Sequence, residues 1–173
     1  MVPRRRESCA VSDSAIRRRV IRGIPSWPIR VRRCGALTDC AVGAIAISDG
    51  YGVRIHPITG AYSAHRGIDL PAPIGTAVLA PRIARVERVD VDGIGVGRWN
   101  GNAVILRDQW GIRWLFLHLH RVAVGAGDIV TPAQVLGTVG QTGSATGPHL
   151  HLAVTGPQGA IDPVRAYPRG TFR

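Results

Sequence analysis

Short apolar runs, broken by glycine and proline, dominate the chain from about residue 46 onward. Six of these runs have the composition and patterning of strands, and turn sequences such as Asn100-Gly101 separate them. The predicted strands cover residues 76–80, 83–91, 102–108, 112–121, 135–139 and 149–155. Long helices have no room between the recurring glycines and prolines. The pattern therefore predicts an all-β, predominantly antiparallel fold, built as an open sandwich or barrel-like domain.

The last predicted strand alternates most clearly between apolar and polar positions. Leu150, Leu152 and Val154 share one face, which we assign to the core, whereas His149 and His151 stand side by side on the opposite face.

The predicted strand 112–121 is apolar on both faces. Strict alternation places Trp114, Phe116, His118 and His120 on one face and three leucines on the other. Two apolar faces are typical of a central strand.

Composition changes this picture mainly at the N-terminus. The 173 residues suffice for one domain, and the net charge of +11 comes from 22 arginines without a lysine. Residues 1–35 carry ten of these arginines and two acidic residues, a charge of +8. We therefore predict two parts: residues 1–45, a flexible, basic, arginine-rich segment, and residues 46–173, the folded domain.

The partner of the basic segment stays open. Arginine runs attract anionic polymers such as nucleic acid, anionic lipid or an acidic wall polymer, and they also occur in solvated tails without a specific partner. Trp27 is the only aromatic residue near them, so the segment lacks the stacking platform of a specific nucleic-acid site.

Neither a membrane span nor an export signal is predicted. No stretch approaches the roughly 20 apolar residues of a transmembrane segment, and no short basic start leads directly into an apolar run. The three cysteines, Cys9, Cys34 and Cys40, fit no zinc-binding pattern and leave the redox compartment open.

Histidines supply the candidate chemistry. Five of the six fall into three groups: His65 with Asp69 four residues later in a stretch predicted as loop, the pair at 118 and 120, and the pair at 149 and 151. Each group alone is weak evidence. Two imidazoles and one carboxylate that leave a fourth position for water would form a catalytic zinc site, and the remaining histidines could transfer protons.

Three segments resemble motifs of the lysostaphin-type (LytM-like) zinc endopeptidases, which cut peptide cross-bridges of bacterial peptidoglycan. The first runs from Ser48-Asp49-Gly50-Tyr51-Gly52 through His65-Arg66-Gly67-Ile68-Asp69. The second is Leu117-His118-Leu119 with the turn after it, and the third is the glycine-rich stretch that ends in His149-Leu150-His151-Leu152. The resemblance covers residues 46–166 in order.

This resemblance implies a fold, a cofactor and a set of roles. The fold would be a LytM domain with a duplicated hybrid motif and a groove that holds the metal. One Zn²⁺ per chain would bind His65, Asp69 and His151, and His118 and His149 would be catalytic without binding zinc. Family members often carry tyrosine where this chain has Phe116, so a hydroxyl is expected to be missing from the groove.

The implied function is a zinc-dependent endopeptidase that hydrolyses cross-links or stem peptides of peptidoglycan by metal-activated water. It would act in the cell envelope or outside the cell, or be encoded by a phage. Three alternatives stay open: a non-catalytic LytM-like protein that binds wall peptides or activates a hydrolase, a basic nucleic-acid-binding protein, and a phosphotransfer carrier of related fold. The carrier would not need the His65 and Asp69 pair.

Four further residues are candidates for the edge of the groove, each with a structural role as the alternative. They are His56, His120, Tyr51 and Arg54. The glycines of residues 140–147 are expected to let a loop pass close to an extended peptide, or to form a simple turn.

Overall fold

The computed structural model describes residues 46–55, 60–91 and 99–167. These ranges contain eleven strands and one short helix. The strands are β1 (Gly52–Ile55), β2 (Tyr62–His65), β3 (Gly67–Pro71), β4 (Ala77–Leu79), β5 (Ala84–Asp90), β6 (Asn102–Asp108), β7 (Arg113–Val122), β8 (Ile129–Val130), β9 (Val135–Val139), β10 (His149–Gly156) and β11 (Gly159–Ile161), and the helix is α1 (Pro163–Ala166). All six predicted strands are present.

Nine of the strands form one antiparallel sheet. Its main path runs β11-β10-β7-β6-β5-β8, with β3 paired to β10 and with β9 paired to both β4 and β7. Strands β1 and β2 form a separate antiparallel hairpin. The predicted all-β, predominantly antiparallel class is confirmed. None of the helices in the described ranges is long and apolar enough to cross a membrane.

The core is packed from the inner faces of the central strands. Leu150, Leu152 and Val154 of β10 are completely buried, as the alternation predicted. They pack in the same cluster as Trp114 and Phe116 of β7. Burial of side chains of this size contributes about 1.5–3 kcal/mol each, so this face fixes which residues of β10 point the other way.

Strand β7 does not alternate strictly. The prediction that Trp114, Phe116 and His118 share one face was wrong. Trp114, Phe116 and then Leu119 belong to the core cluster, so the face changes between 116 and 119. The pairing between β6 and β7 shifts register there, and His118 has φ of +62°. This bulge carries one extra residue, which turns the His118 side chain away from the core.

The N-terminal part of the domain is more regular than predicted. The stretch from His65 to Asp69 was expected to be a loop, but His65 ends β2 and Asp69 lies within β3. Both strands are too short for an alternation pattern to be detected, and β3 is held by its pairing with the distant strand β10. The division between residues 45 and 46 stays a prediction, since residues 1–45 lie outside the described ranges.

Candidate metal centre

Strand register brings a carboxylate and an imidazole together. Asp69 of β3 lies directly opposite His151 of β10 in their antiparallel pairing. His65 arrives on the neighbouring hairpin strand β2. Nδ1 of His151 is 2.7 Å from Oδ1 of Asp69 and 3.2 Å from Nε2 of His65. Oδ1 of Asp69 and Nε2 of His65 are 3.4 Å apart. The three side chains therefore converge on one point.

This donor set suits a metal ion. His65, Asp69 and His151 each offer one ligand atom, and these atoms lie within 4.8 Å of one another. Tetrahedral Zn²⁺ with bonds of about 2.0–2.1 Å has donor atoms roughly 3.3 Å apart, which the distances of 3.2 and 3.4 Å match. The third distance, 2.7 Å, is that of a hydrogen bond. Two nitrogens and one carboxylate oxygen leave room for a further ligand.

The orientation of His65 is set by the backbone. Nδ1 of His65 lies 2.7 Å from the carbonyl oxygen of Gly50, and a carbonyl only accepts, so Nδ1 carries the proton. Nε2 is thereby left with its lone pair toward the cluster, the arrangement that a metal ligand requires. Asp49 lies 3.8 Å from the same nitrogen and forms an ion pair of 3.0 Å with Arg54.

Gly67 makes room for the ring of His151. A methyl group on Gly67 would lie 2.6 Å from Nε2 of His151 and 2.6 Å from the carbonyl oxygen of Leu152. Any side chain at this position would collide with the imidazole or with the backbone of β10. The strand β3 can therefore lie against His151 only because residue 67 is glycine.

His118 and His149 form a second pair beside the first three residues. Their ring centroids are 4.8 Å apart, and Nε2 of His149 is 3.7 Å from Oδ1 of Asp69. Nδ1 of His118 donates to the carbonyl of Thr142 and Nδ1 of His149 to that of Gly147, both at 2.8 Å. In each neutral ring, Nε2 is then the atom with the free lone pair.

Burial and charge set the protonation of the cluster. Burial lowers the pKa of His118 to about 4, although its hydrogen bond to Thr142 acts in the opposite direction. Burial would raise the pKa of Asp69, but hydrogen bonds with His151 and His65 hold it well below its usual range. Burial lowers the pKa of His65, but the contacts of this ring with Asp69 and Gly50 outweigh that effect. The pKa of His65 is therefore raised above its usual value. His118 is therefore a neutral imidazole and Asp69 a carboxylate at neutral pH.

The remaining candidates from the sequence do not join the cluster. The side chain of His120 is exposed, and the hydroxyl of Tyr51 donates to the carbonyl of Ala160 at 3.4 Å. Arg54 is engaged by Asp49. Phe116 is completely buried in the hydrophobic core. His56 lies outside the described residues.

Two supporting residues were not singled out from the sequence, Gly67 and Thr142. Gly67 lies inside the quoted His65–Asp69 motif, but its contact with His151 depends on the pairing of two distant strands. Thr142 lies in the glycine-rich stretch, where its spacing to His118 shows nothing of the hydrogen bond between them.

An antiparallel β domain that presents two imidazoles, a carboxylate and two further imidazoles in this way has the donor set of a metallopeptidase. Comparison with known proteins agrees. The chain matches Peptidase family M23 over residues 63–163, and it belongs to that family. The resemblance to lysostaphin-type peptidases that the motifs indicated is thereby confirmed.

A curated relative and two solved structures are similar to parts of this chain. The peptidoglycan DD-endopeptidase ShyC of Vibrio cholerae is 42% identical over 98 residues, which cover 57% of this chain and 22% of ShyC. The chain thus spans about a fifth of the length of this relative.

Both solved structures share the fold. The catalytic domain of the antimicrobial peptidase lysostaphin from Staphylococcus simulans has a TM-score of 0.61 at 30% identity, over 70% of this chain and 90% of that domain. A zinc-containing peptidase from Vibrio cholerae has a TM-score of 0.60 at 31% identity, over 67% of this chain and 35% of that protein.

Proposed function

We propose that this chain is a zinc-dependent endopeptidase that hydrolyses peptide cross-links or stem peptides of bacterial peptidoglycan. The observation that carries the proposal is the convergence of Nε2 of His65, Oδ1 of Asp69 and Nδ1 of His151 beside the paired rings of His118 and His149. The family supports peptidase chemistry. The name of ShyC, a peptidoglycan DD-endopeptidase, supports peptidoglycan as the substrate class.

In this proposal, His65, Asp69 and His151 would hold one Zn²⁺ per chain. When bound, the ion supplies Lewis-acid chemistry, since it polarises a peptide carbonyl and makes hydroxide available near neutral pH. The single negative charge of Asp69 offsets part of the ionic charge, and the hydrogen bond from His65 to Gly50 keeps the lone pair of that ring aimed at the centre.

His118 and His149 would move the protons. Each ring is held by a backbone carbonyl at Nδ1, so that Nε2 can accept a proton from the attacking water and later return one to the amine that leaves. Once protonated, either ring also stabilises the negative charge that develops on the scissile carbonyl oxygen. Their separation of 4.8 Å allows both rings to face the same substrate bond.

The proposed substrate also defines where the reaction takes place. Peptidoglycan lies in the bacterial cell envelope, so a hydrolase of this class would act there or on the walls of other cells. The predicted contact of the N-terminal arginines with an anionic polymer remains a separate prediction, since those residues lie outside the described ranges.

The test is digestion of purified peptidoglycan, followed by identification of the released muropeptides by mass spectrometry. The full chain loaded with zinc should release cleaved peptides, chelation should stop the release, and added zinc should restore it. His118→Ala should be inactive, whereas His120→Ala, an exposed histidine two residues away, should cleave normally. Binding to peptidoglycan without any cleavage would instead indicate the non-catalytic alternative.

A further inference from the structure

Thr142 is hydrogen-bonded to both of the paired strands, β6 and β7, at the bulge that carries His118. Its hydroxyl donates to the carbonyl of Leu119 at 2.8 Å and accepts the backbone N–H of Asn102 at 2.9 Å. Its own carbonyl oxygen accepts the Nδ1–H of His118 at 2.8 Å. One residue of the loop before β10 therefore connects β6, β7 and the ring of His118.

The conformation of His118 needs such support. Its φ of +62° is a region that non-glycine residues seldom occupy, and the residue is 8% exposed. Its backbone N–H donates to the carbonyl of Asn100 at 3.0 Å. The left-handed turn is therefore held at its backbone by Asn100 and at its ring by Thr142.

The loop can reach this position because two glycines face each other. A side chain at Gly101 would collide with the backbone of Thr142, and one at Gly143 would collide with the backbone of Gly101. Both glycines also have positive φ, of +61° and +72°. The close approach brings the hydroxyl of Thr142 to the strand ends instead of to solvent.

We infer that Thr142 is a positioning residue of the active site: its hydroxyl fixes the loop so that its carbonyl holds Nδ1 of His118 and aims Nε2 at the substrate. This inference rests on the proposed function for its kinetic consequence only. The hydrogen bonds of Thr142 do not contact His65, Asp69 or His151, so metal binding should be independent of the hydroxyl.

The chain offers a matched control for the substitution. Thr138 on β9 has a buried hydroxyl that forms no hydrogen bond within the described part of the chain. Thr142→Val and Thr138→Val therefore make the same chemical change, and only the first removes hydrogen bonds. Thr142→Ser keeps the hydroxyl and should behave as the unmodified chain.

The kinetic arm uses the zinc-loaded full chain and a soluble cross-linked muropeptide. Thr142→Val should lower kcat by about 10- to 100-fold, with KM within about twofold, because the ring of His118 is misplaced while the other proposed site residues keep their positions. Zinc content should remain one per chain. Thr142→Ser and Thr138→Val should retain kcat.

The spectroscopic arm does not depend on turnover. The Nδ1–H of the buried His118, held by the carbonyl of Thr142, should give a slowly exchanging downfield proton resonance that His118→Gln removes. This resonance should persist in Thr142→Ser and Thr138→Val and disappear in Thr142→Val. If Thr142→Val does not fold, Thr142→Ala is compared with Thr138→Ala in the same way.

The outcomes test the positioning role of Thr142 and the proposed peptidase function separately. An unchanged resonance in folded Thr142→Val, or its loss in folded Thr142→Ser, would overturn the positioning role. A full chain that shows the expected resonances but cleaves no peptide would leave the positioning role supported and would refute the proposed function.

Discussion

Asp69 and His151 face each other across the β3–β10 pairing, with Oδ1 2.7 Å from Nδ1. Because the register of β10 is fixed by three completely buried side chains, Leu150, Leu152 and Val154, the position of His151 follows from core packing. A slip by one residue would turn His151 into the core and remove it from Asp69. The candidate metal centre is thus specified by the same interactions that stabilise the sheet.

Gly67→Ala should damage the metal centre without changing any ligand. The added methyl group would lie 2.6 Å from the ring of His151, so the ring or the backbone of β10 must move. We expect zinc affinity to fall by about tenfold or more and the free energy of unfolding to fall by about 1–3 kcal/mol. Competition with a zinc chelator and urea unfolding measure the two effects.

Gly125→Ala is the control for this substitution. The nearest atom to its added methyl group is Oδ2 of Asp128 at 3.6 Å, an ordinary contact in a remote turn. Zinc affinity equal to that of the unmodified chain in both glycine variants would show that the approach of β3 to His151 tolerates a side chain.

The depressed pKa of His118 should make stability depend on pH. Its pKa falls from 6.5 to about 4 on folding because the ring is buried. Between these values the unfolded chain binds more protons at this residue than the folded chain, so the free energy of unfolding should decrease as the pH falls. The slope contributed by one such group approaches about 1.4 kcal/mol per pH unit.

Comparison with His118→Gln isolates this contribution. Urea unfolding of both metal-free proteins, from neutral pH down to about 4, should show a shallower decrease for the variant, because the other titrating groups, including Asp69 and His65, are common to both. Parallel curves would mean that the ring of His118 titrates normally in the folded chain.

Removal of residues 1–45 should leave the domain folded and able to hydrolyse a small soluble peptide, since every proposed site residue lies at or beyond residue 65. Binding to whole peptidoglycan should weaken, mainly at low salt, where the attraction of the arginines is least screened. Sedimentation with purified cell walls at several salt concentrations measures the loss. A truncated chain that fails to fold would place the domain boundary earlier.

The sequence predicted local features of this domain well and long-range ones poorly. The core face of β10 was predicted because Leu150, Leu152 and Val154 repeat with the period of the strand itself. The face of His118 was predicted wrongly, since the bulge depends on contacts with Asn100 and Thr142 that no local pattern contains. The five proposed site residues were singled out by their grouping along the chain, and their division into ligands and catalysts was taken from family motifs and stays a prediction.

Metal binding and catalysis are divided among the histidines of this site, and one paired measurement tests that division. His149 and His151 stand two residues apart on β10, yet only Nδ1 of His151 lies at 2.7 Å from Asp69, whereas Nε2 of His149 lies at 3.7 Å. We assign His151 to the metal with His65 and Asp69, and His149 to catalysis with His118.

Zinc content and peptidoglycan turnover are measured on the same preparations of His149→Ala and His151→Ala. His149→Ala should keep one zinc per chain and lose activity by roughly 10²–10⁴-fold, the usual contribution of a positioned acid or base. His151→Ala should lose both zinc and activity, as should His65→Ala and Asp69→Ala. Full zinc in His151→Ala, loss of zinc in His149→Ala, or near-normal turnover in either variant would contradict the assignment.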